Sequence, residues 1–129
     1  MTQTQKLTEV IIARADTPTK KTNRVYSRRI LQEVVKDART RGILYCSPQP
    51  SPDGCIVVND ISHCADNFRL IRGDLLCDIT SLKTPAGLEL PDLSDKHFHI
   101  YGLGQIDDST GEITAYQLLG VGMYDYEIY

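Results

Sequence analysis

Nucleophilic catalysis needs a Ser, Cys or Thr within hydrogen-bond reach of a base that a third group orients. Ser62 and His63 are adjacent and of the right types. In a strand, neighbours project to opposite faces, so this pair is expected not to touch, and His63 reads as a structural hydrogen-bonding residue. His97 and His99 are two apart and would share one strand face. That suits a metal, but no third ligand stands at a matching spacing, so no metal site is assigned. Cys46, Cys55, Cys64 and Cys77 contain no Cys-x-x-Cys pair, which speaks against a zinc ribbon or a thioredoxin-type site. They read as four free thiols, mostly buried. A Cys–His dyad from remote positions stays open, with nothing to select one thiol over the others. Asp107 and Asp108 form a carboxylate pair but fall in a turn with Ser109, Thr110 and Gly111, where Asp bonds local backbone. Gly102-Leu103-Gly104 is followed by no helix and no Lys-Ser/Thr, so it is not a phosphate loop. Lys20, Lys21, Arg24, Arg28 and Arg29, with Tyr26 among them, read as a solvated loop and helix face. No cofactor is expected.

Elements must position these residues. Residues 7–15 (LTEVIIARA) are apolar and β-branched and read as a strand; 16–23 read as a loop. Ser27 is an N-cap, and Ile30, Leu31, Val34, Val35 and Ala38 follow at helical spacing up to a C-cap Gly42. This predicts a long helix over 27–41. Residues 43–46 read as a short strand, 47–54 as a stiff loop with three prolines, and 55–59 as a buried strand. Residues 61–70 and 74–82 predict two strands around a turn at Arg72-Gly73. Thr84-Pro85 opens a short helix over 85–93. Residues 97–106 and 112–121 predict a hairpin, and an aromatic tail (MYDYEIY) follows. The fold class is α+β, with a mainly antiparallel, partly closed sheet.

The 129 residues make room for one domain. The division expected is a polar arm over 1–6, one domain over 7–122, and the tail over 123–129. No apolar run approaches the ~20 residues of a membrane span, and the polar start lacks the apolar stretch of a secretory signal. A cytoplasmic product is expected. The net charge of −3 is unevenly spread. Residues 1–42 carry ten Lys/Arg against four Asp/Glu (+6); residues 43–129 carry four against thirteen (−9). The acidic larger part argues against a purely nucleic-acid-binding protein. The split suits head-to-tail contact between copies, or a basic surface laid on an acidic partner.

The order of motifs resembles the prohead (capsid maturation) serine proteases of tailed bacteriophages, of the myovirus core-protease type. Asn23-Arg24-Val25-Tyr26 before the long helix is similar to that family's Asn-x-Arg-x-Tyr-Pro segment, with Ser27 in place of the proline. Ile61-Ser62-His63 resembles its Val-Ser-His strand, and Leu82-Lys83-Thr84-Pro85-Ala86-Gly87 its Leu-x-Thr-Pro-x-Gly turn. Gly102-Leu103-Gly104, an acidic turn and Tyr116-Gln117-Leu118-Leu119 resemble the strand pair after the nucleophile. The catalytic positions depart from the pattern. Where the family has Gly-Glu-Leu-x-His-Pro, this chain reads Gly42-Ile43-Leu44-Tyr45-Cys46-Ser47-Pro48, without a histidine. Where it has Ser-Ser-Arg-Gly-x-Gly, this chain reads His99-Ile100-Tyr101-Gly102-Leu103-Gly104. Loss of either catalytic group removes most of the rate of a Ser–His enzyme.

The resemblance implies the fold and a phage setting, while the residues predict no catalytic site. The function expected is a non-catalytic decoration (cement) protein, made in the host cytoplasm and bound to the virion capsid through the major capsid protein or neighbouring copies. Lys20, Lys21, Arg24, Arg28, Arg29, Tyr124, Tyr126 and Tyr129 are the expected partner-binding residues. The polar arm has little to pack with in its own domain, so a neighbouring chain is its expected anchor. The tail is either anchored in the same way or the last strand of the domain's own sheet. Two other functions stay open: a maturation protease using Cys46 or Cys64 with His63, His97 or His99, and an internal scaffold protein.

Overall fold

The computed structural model describes residues 4–50 and 58–129. Strand β1 (Lys6–Arg14) opens the chain. Helix α1 (Arg28–Arg41) follows with the expected caps: Ser27 Oγ accepts from the Ile30 amide at 3.2 Å, and Gly42, at φ 82°, donates its own amide to the Ala38 carbonyl at 2.9 Å. Its apolar stripe, Ile30, Leu31, Val34, Val35 and Ala38, is buried, and at about 1.5–3 kcal/mol for each large side chain this stripe is what holds the helix down. Strands β2 (Leu44–Cys46), β3 (His63–Ile71) and β4 (Asp74–Ser81) join β1 in a four-stranded antiparallel sheet of order β1-β4-β3-β2. The β3–β4 turn sits where expected. Arg72 and Gly73 both have positive φ, as the two-residue hairpin turn that suits strand twist requires.

Helix α2 (Pro85–Leu88) is a single turn. Thr84 Oγ1 caps it by accepting from Gly87 N at 3.0 Å. It stops well short of residue 93 because Pro91 disfavours helical backbone at Leu90. A 3-10 turn (Leu93–Asp95), capped by Asp92, takes over. Strands β5 (His97–Ile106) and β6 (Ile113–Tyr124) form a separate two-stranded sheet. The sheet expected as one is therefore two. They meet where Met123 N donates to the Pro48 carbonyl at 2.9 Å beside β2, and where β5 runs alongside β1 without a ladder. Helix α1 packs on β3 and β6, so it covers both sheets.

Three further expectations change. The strand expected over 55–59 lies partly outside the described residues, and its remainder belongs to a 3-10 turn (Val58–Asp60). Strand β6 runs on to Tyr124, with Met123 buried, so the tail is shorter than 123–129. Within the arm expected over 1–6, Gln5 bonds to its own domain. The Gln5 amide donates to Ser81 Oγ at 2.6 Å, its Nε2 to the Pro91 carbonyl at 2.9 Å, and its Oε1 accepts from Leu93 N at 2.8 Å. A polar residue at this position bridges β4 to the 3-10 turn, while residues 1–3 of the expected arm lie outside the described residues.

Candidate functional site

The two segments that stand in for the expected catalytic positions lie against each other. Ser47, just past β2, donates its amide to the Tyr101 hydroxyl on β5 at 3.1 Å, and its Oγ lies 3.3 Å from the same hydroxyl. Gly120 on β6 makes room for this phenol, since a Cβ there would fall 2.4 Å from the Tyr101 oxygen. Cys46 is fully buried; its sulfur accepts from the Val121 amide at 3.4 Å, and burial pushes the thiol up to about 12. A thiol held protonated is a poor nucleophile. Cys77 is also buried with its pKa raised, and Cys64 is half-buried with its pKa raised, each chiefly by desolvation. Cys55 lies outside the described residues.

Ser62 and His63 do touch, against expectation. Strand β3 starts at His63, so Ser62 is outside the pleat and its Oγ donates to Nδ1 at 2.8 Å. The other ring nitrogen, as Nε2–H, donates to the Val121 carbonyl at 2.6 Å. Both residues have 0 % exposure, and burial lowers the pKa of the imidazole, which fixes its neutral form. This pair clasps β3 to β6, in the structural role expected of His63.

His97 is exposed and His99 is buried. His99 Nδ1 donates to the Ile100 carbonyl at 2.9 Å, and Nε2 accepts from the Tyr129 hydroxyl at 3.0 Å. The rings of Tyr26 and Tyr129 stand against it at 5.5 and 5.6 Å between centroids. Desolvation pushes its pKa down to about 4. Both nitrogens are thus committed within the chain. Among the described residues no group of three or more His, Cys, Asp or Glu is placed to hold a metal.

Above this level an open groove of about 460 Å³ runs along β5, closed by the 19–26 loop on one side and the tail on the other. Here the structure gathers four of the eight predicted partner-binding residues, Lys21, Arg24, Tyr124 and Tyr126, with Lys20 beside them on the tail. The Lys20 amide donates to the Ile128 carbonyl at 2.8 Å, and its ammonium pairs with Glu127. Lys21 Nζ sits 3.6 Å from the centre of the Tyr126 ring, which stacks obliquely on Tyr124. Arg24 lines the same groove. Tyr129 lies apart, on His99, and burial pushes its phenol up to about 12. Arg29 is spent on an i,i+4 pair with Glu33, and Arg28 points toward Gly73. Neither joins the groove. The tail is therefore held by its own domain, as an overlay on β5 rather than as a free arm. Tyr26 and Tyr116, edge to face at 5.5 Å, form the floor; both stand in motifs named from sequence, but neither was expected to bind a partner. Tyr116 lies over Gly102 and Gly104, where added Cβ atoms would come within 3.0 and 3.3 Å of its ring. The Gly-x-Gly pattern is the signal that could have found it.

The arrangement of strands and helix has a counterpart. The capsid assembly protease of bacteriophage T4 superposes with a TM-score of 0.74 over 93% of this chain and 79% of that one, at 16% identity. The fold is prohead-protease-like. No protein-family model and no curated protein matches the chain. The protease-like fold accounts for the element order that the motifs suggested, including the long helix between β1 and β2 and the final hairpin.

Proposed function

We propose that this chain is a non-catalytic, capsid-associated protein of a tailed phage, a decoration protein that keeps the protease-like fold as a scaffold for binding the major capsid protein. The observation that carries this reading is the Ser47–Tyr101 contact. In the resembled proteases the corresponding segments supply histidine and nucleophile; here they supply a hydroxyl–amide hydrogen bond between β2 and β5. The nearby groups with the right chemistry are withdrawn from it. Cys46 is buried and protonated, and His63 and His99 have both nitrogens bonded inside the chain. What faces outward is a groove with Lys21 and Arg24, neither in an ion pair among the described residues, beside Tyr124 and Tyr126. Cations and phenols side by side suit a protein surface with carboxylates.

Co-sedimentation of the purified chain with the phage's own mature shells tests the reading. Binding without cleavage of any shell or scaffold protein is expected, and stripping the chain is expected to lower the heat resistance of the shell. Cleavage of those proteins that disappears in the Cys64→Ala variant would instead establish a divergent protease. Absence of the chain from mature particles, with presence in proheads, would establish an internal scaffold protein.

A further inference from the structure

We infer that residues 125–129 form a releasable strap, a built-in acidic ligand that the partner of the groove displaces as it docks. The identity of that partner rests on the capsid reading; the strap itself rests on this chain alone. Three successive residues of the segment meet three lysines. Asp125 pairs with Lys96, the Tyr126 ring takes Lys21 at 3.6 Å from its centre, and Glu127 pairs with Lys20. The basic loop is thus already met by carboxylates beside a phenol, the chemistry that a protein partner would bring to it. Asp125, Tyr126 and Glu127 are all exposed. Ion pairs and cation–ring contacts at exposed positions are weak, and salt screens them.

Past Tyr124 the ladder ends, and residues 125–129 belong to no strand or helix. The far end is fastened by one main-chain hydrogen bond, from the Lys20 amide to the Ile128 carbonyl at 2.8 Å, and by one from the Tyr129 hydroxyl to His99 Nε2 at 3.0 Å. A segment with no ladder and few buried contacts opens locally while the rest of the fold stays intact. The strap also divides two spaces. Glu127 and Ile128 line both the groove along β5 and a second cavity of about 340 Å³ beside β1 and the start of β5. Lifting the strap joins the two and frees Lys20 and Lys21 together. Arg24 lines the groove without an ion pair among the described residues, so a partner's carboxylate has a first hold while the strap is still down.

The Lys20 amide reports closure, because its acceptor is on the strap. Hydrogen exchange of the full chain, read by NMR, follows it. The Lys20 amide is expected to exchange faster than the β5–β6 ladder amides, and to speed up as salt rises while those amides keep their rates. Tyr129→Phe removes the bond to His99 and changes neither a charge nor a residue of the groove along β5. It is expected to speed exchange at Lys20 by about threefold. With the closed strap dominant, apparent affinity rises in step with the open fraction, so the same variant is expected to bind the phage's mature shells about threefold more tightly. A Lys20 amide that exchanges only with the ladder, unmoved by salt and by Tyr129→Phe, overturns the strap. Faster exchange with equal or weaker shell binding overturns the displacement. Shells that bind neither form overturn the capsid reading and the displacement with it, while the exchange rates still decide the strap.

Discussion

His99 sits between Tyr26 and Tyr129 with both nitrogens bonded, and burial holds its pKa near 4 against an ordinary value of 6.5. The neutral ring is the folded form. Its contribution is therefore present above pH ~6.5 and is lost as pH falls from there through about 4, because the unfolded chain takes up the proton first. The size is on the order of 3 kcal/mol. Urea unfolding across that window is expected to show the fall, and a His99→Phe variant is expected to flatten it. His63 shifts in the same direction and adds to the slope. At the Ser62–His63 clasp, Ser62→Ala leaves the buried Nδ1 without its donor and is expected to cost about 1–3 kcal/mol in the same assay. A catalytic role for the pair would appear as lost activity at unchanged stability, and the burial of both groups argues for the opposite result.

Helix α1 shows what local patterning can specify. Ser27, Gly42 and the i, i+3, i+4 apolar spacing act within a turn or two of chain, and each was legible. So was the Arg72-Gly73 turn, where Gly73 takes a positive φ that suits glycine, although Arg72 takes one as well. The join between the sheets was not legible. It depends on Met123 finding Pro48 and on His63 finding Val121, pairs remote in sequence with no pattern of their own. Ser62 was misplaced because a strand start two residues later than expected reverses the alternation argument. The groove was half legible: its basic loop and its tyrosines were named separately, but nothing in either segment says that Lys21 lies on Tyr126. Two substitutions weigh the elements. Leu31→Ala empties a fully buried site on α1 and is expected to cost about 2–5 kcal/mol. Gly87→Ala is expected to be worse than its size suggests, since the new Cβ would meet the Leu82 carbonyl oxygen at 2.0 Å. Thermal melts of the two variants will rank them.

For the whole molecule, the charge division of the sequence survives folding only in part. Lys20 is neutralised by Glu127 from the acidic part of the chain, so the +6 of the first 42 residues overstates what a partner meets. Lys21 and Arg24 remain in the groove. If the shell is its partner, binding is expected to weaken as salt rises, and the Lys21→Glu and Arg24→Glu variants are expected to weaken it further at low salt. Salt-insensitive attachment would assign the contact to apolar and aromatic surface. Helix α1 has a consequence on a different axis, that of time. It forms early in the chain yet rests on β6, and Arg41 reaches the Leu118 carbonyl on that last strand. During synthesis the buried stripe of α1 must wait for some seventy residues to emerge before its cover exists. Contacts so far apart in sequence make for slow closure. Until β6 emerges, the side of α1 that it covers stays open to solvent.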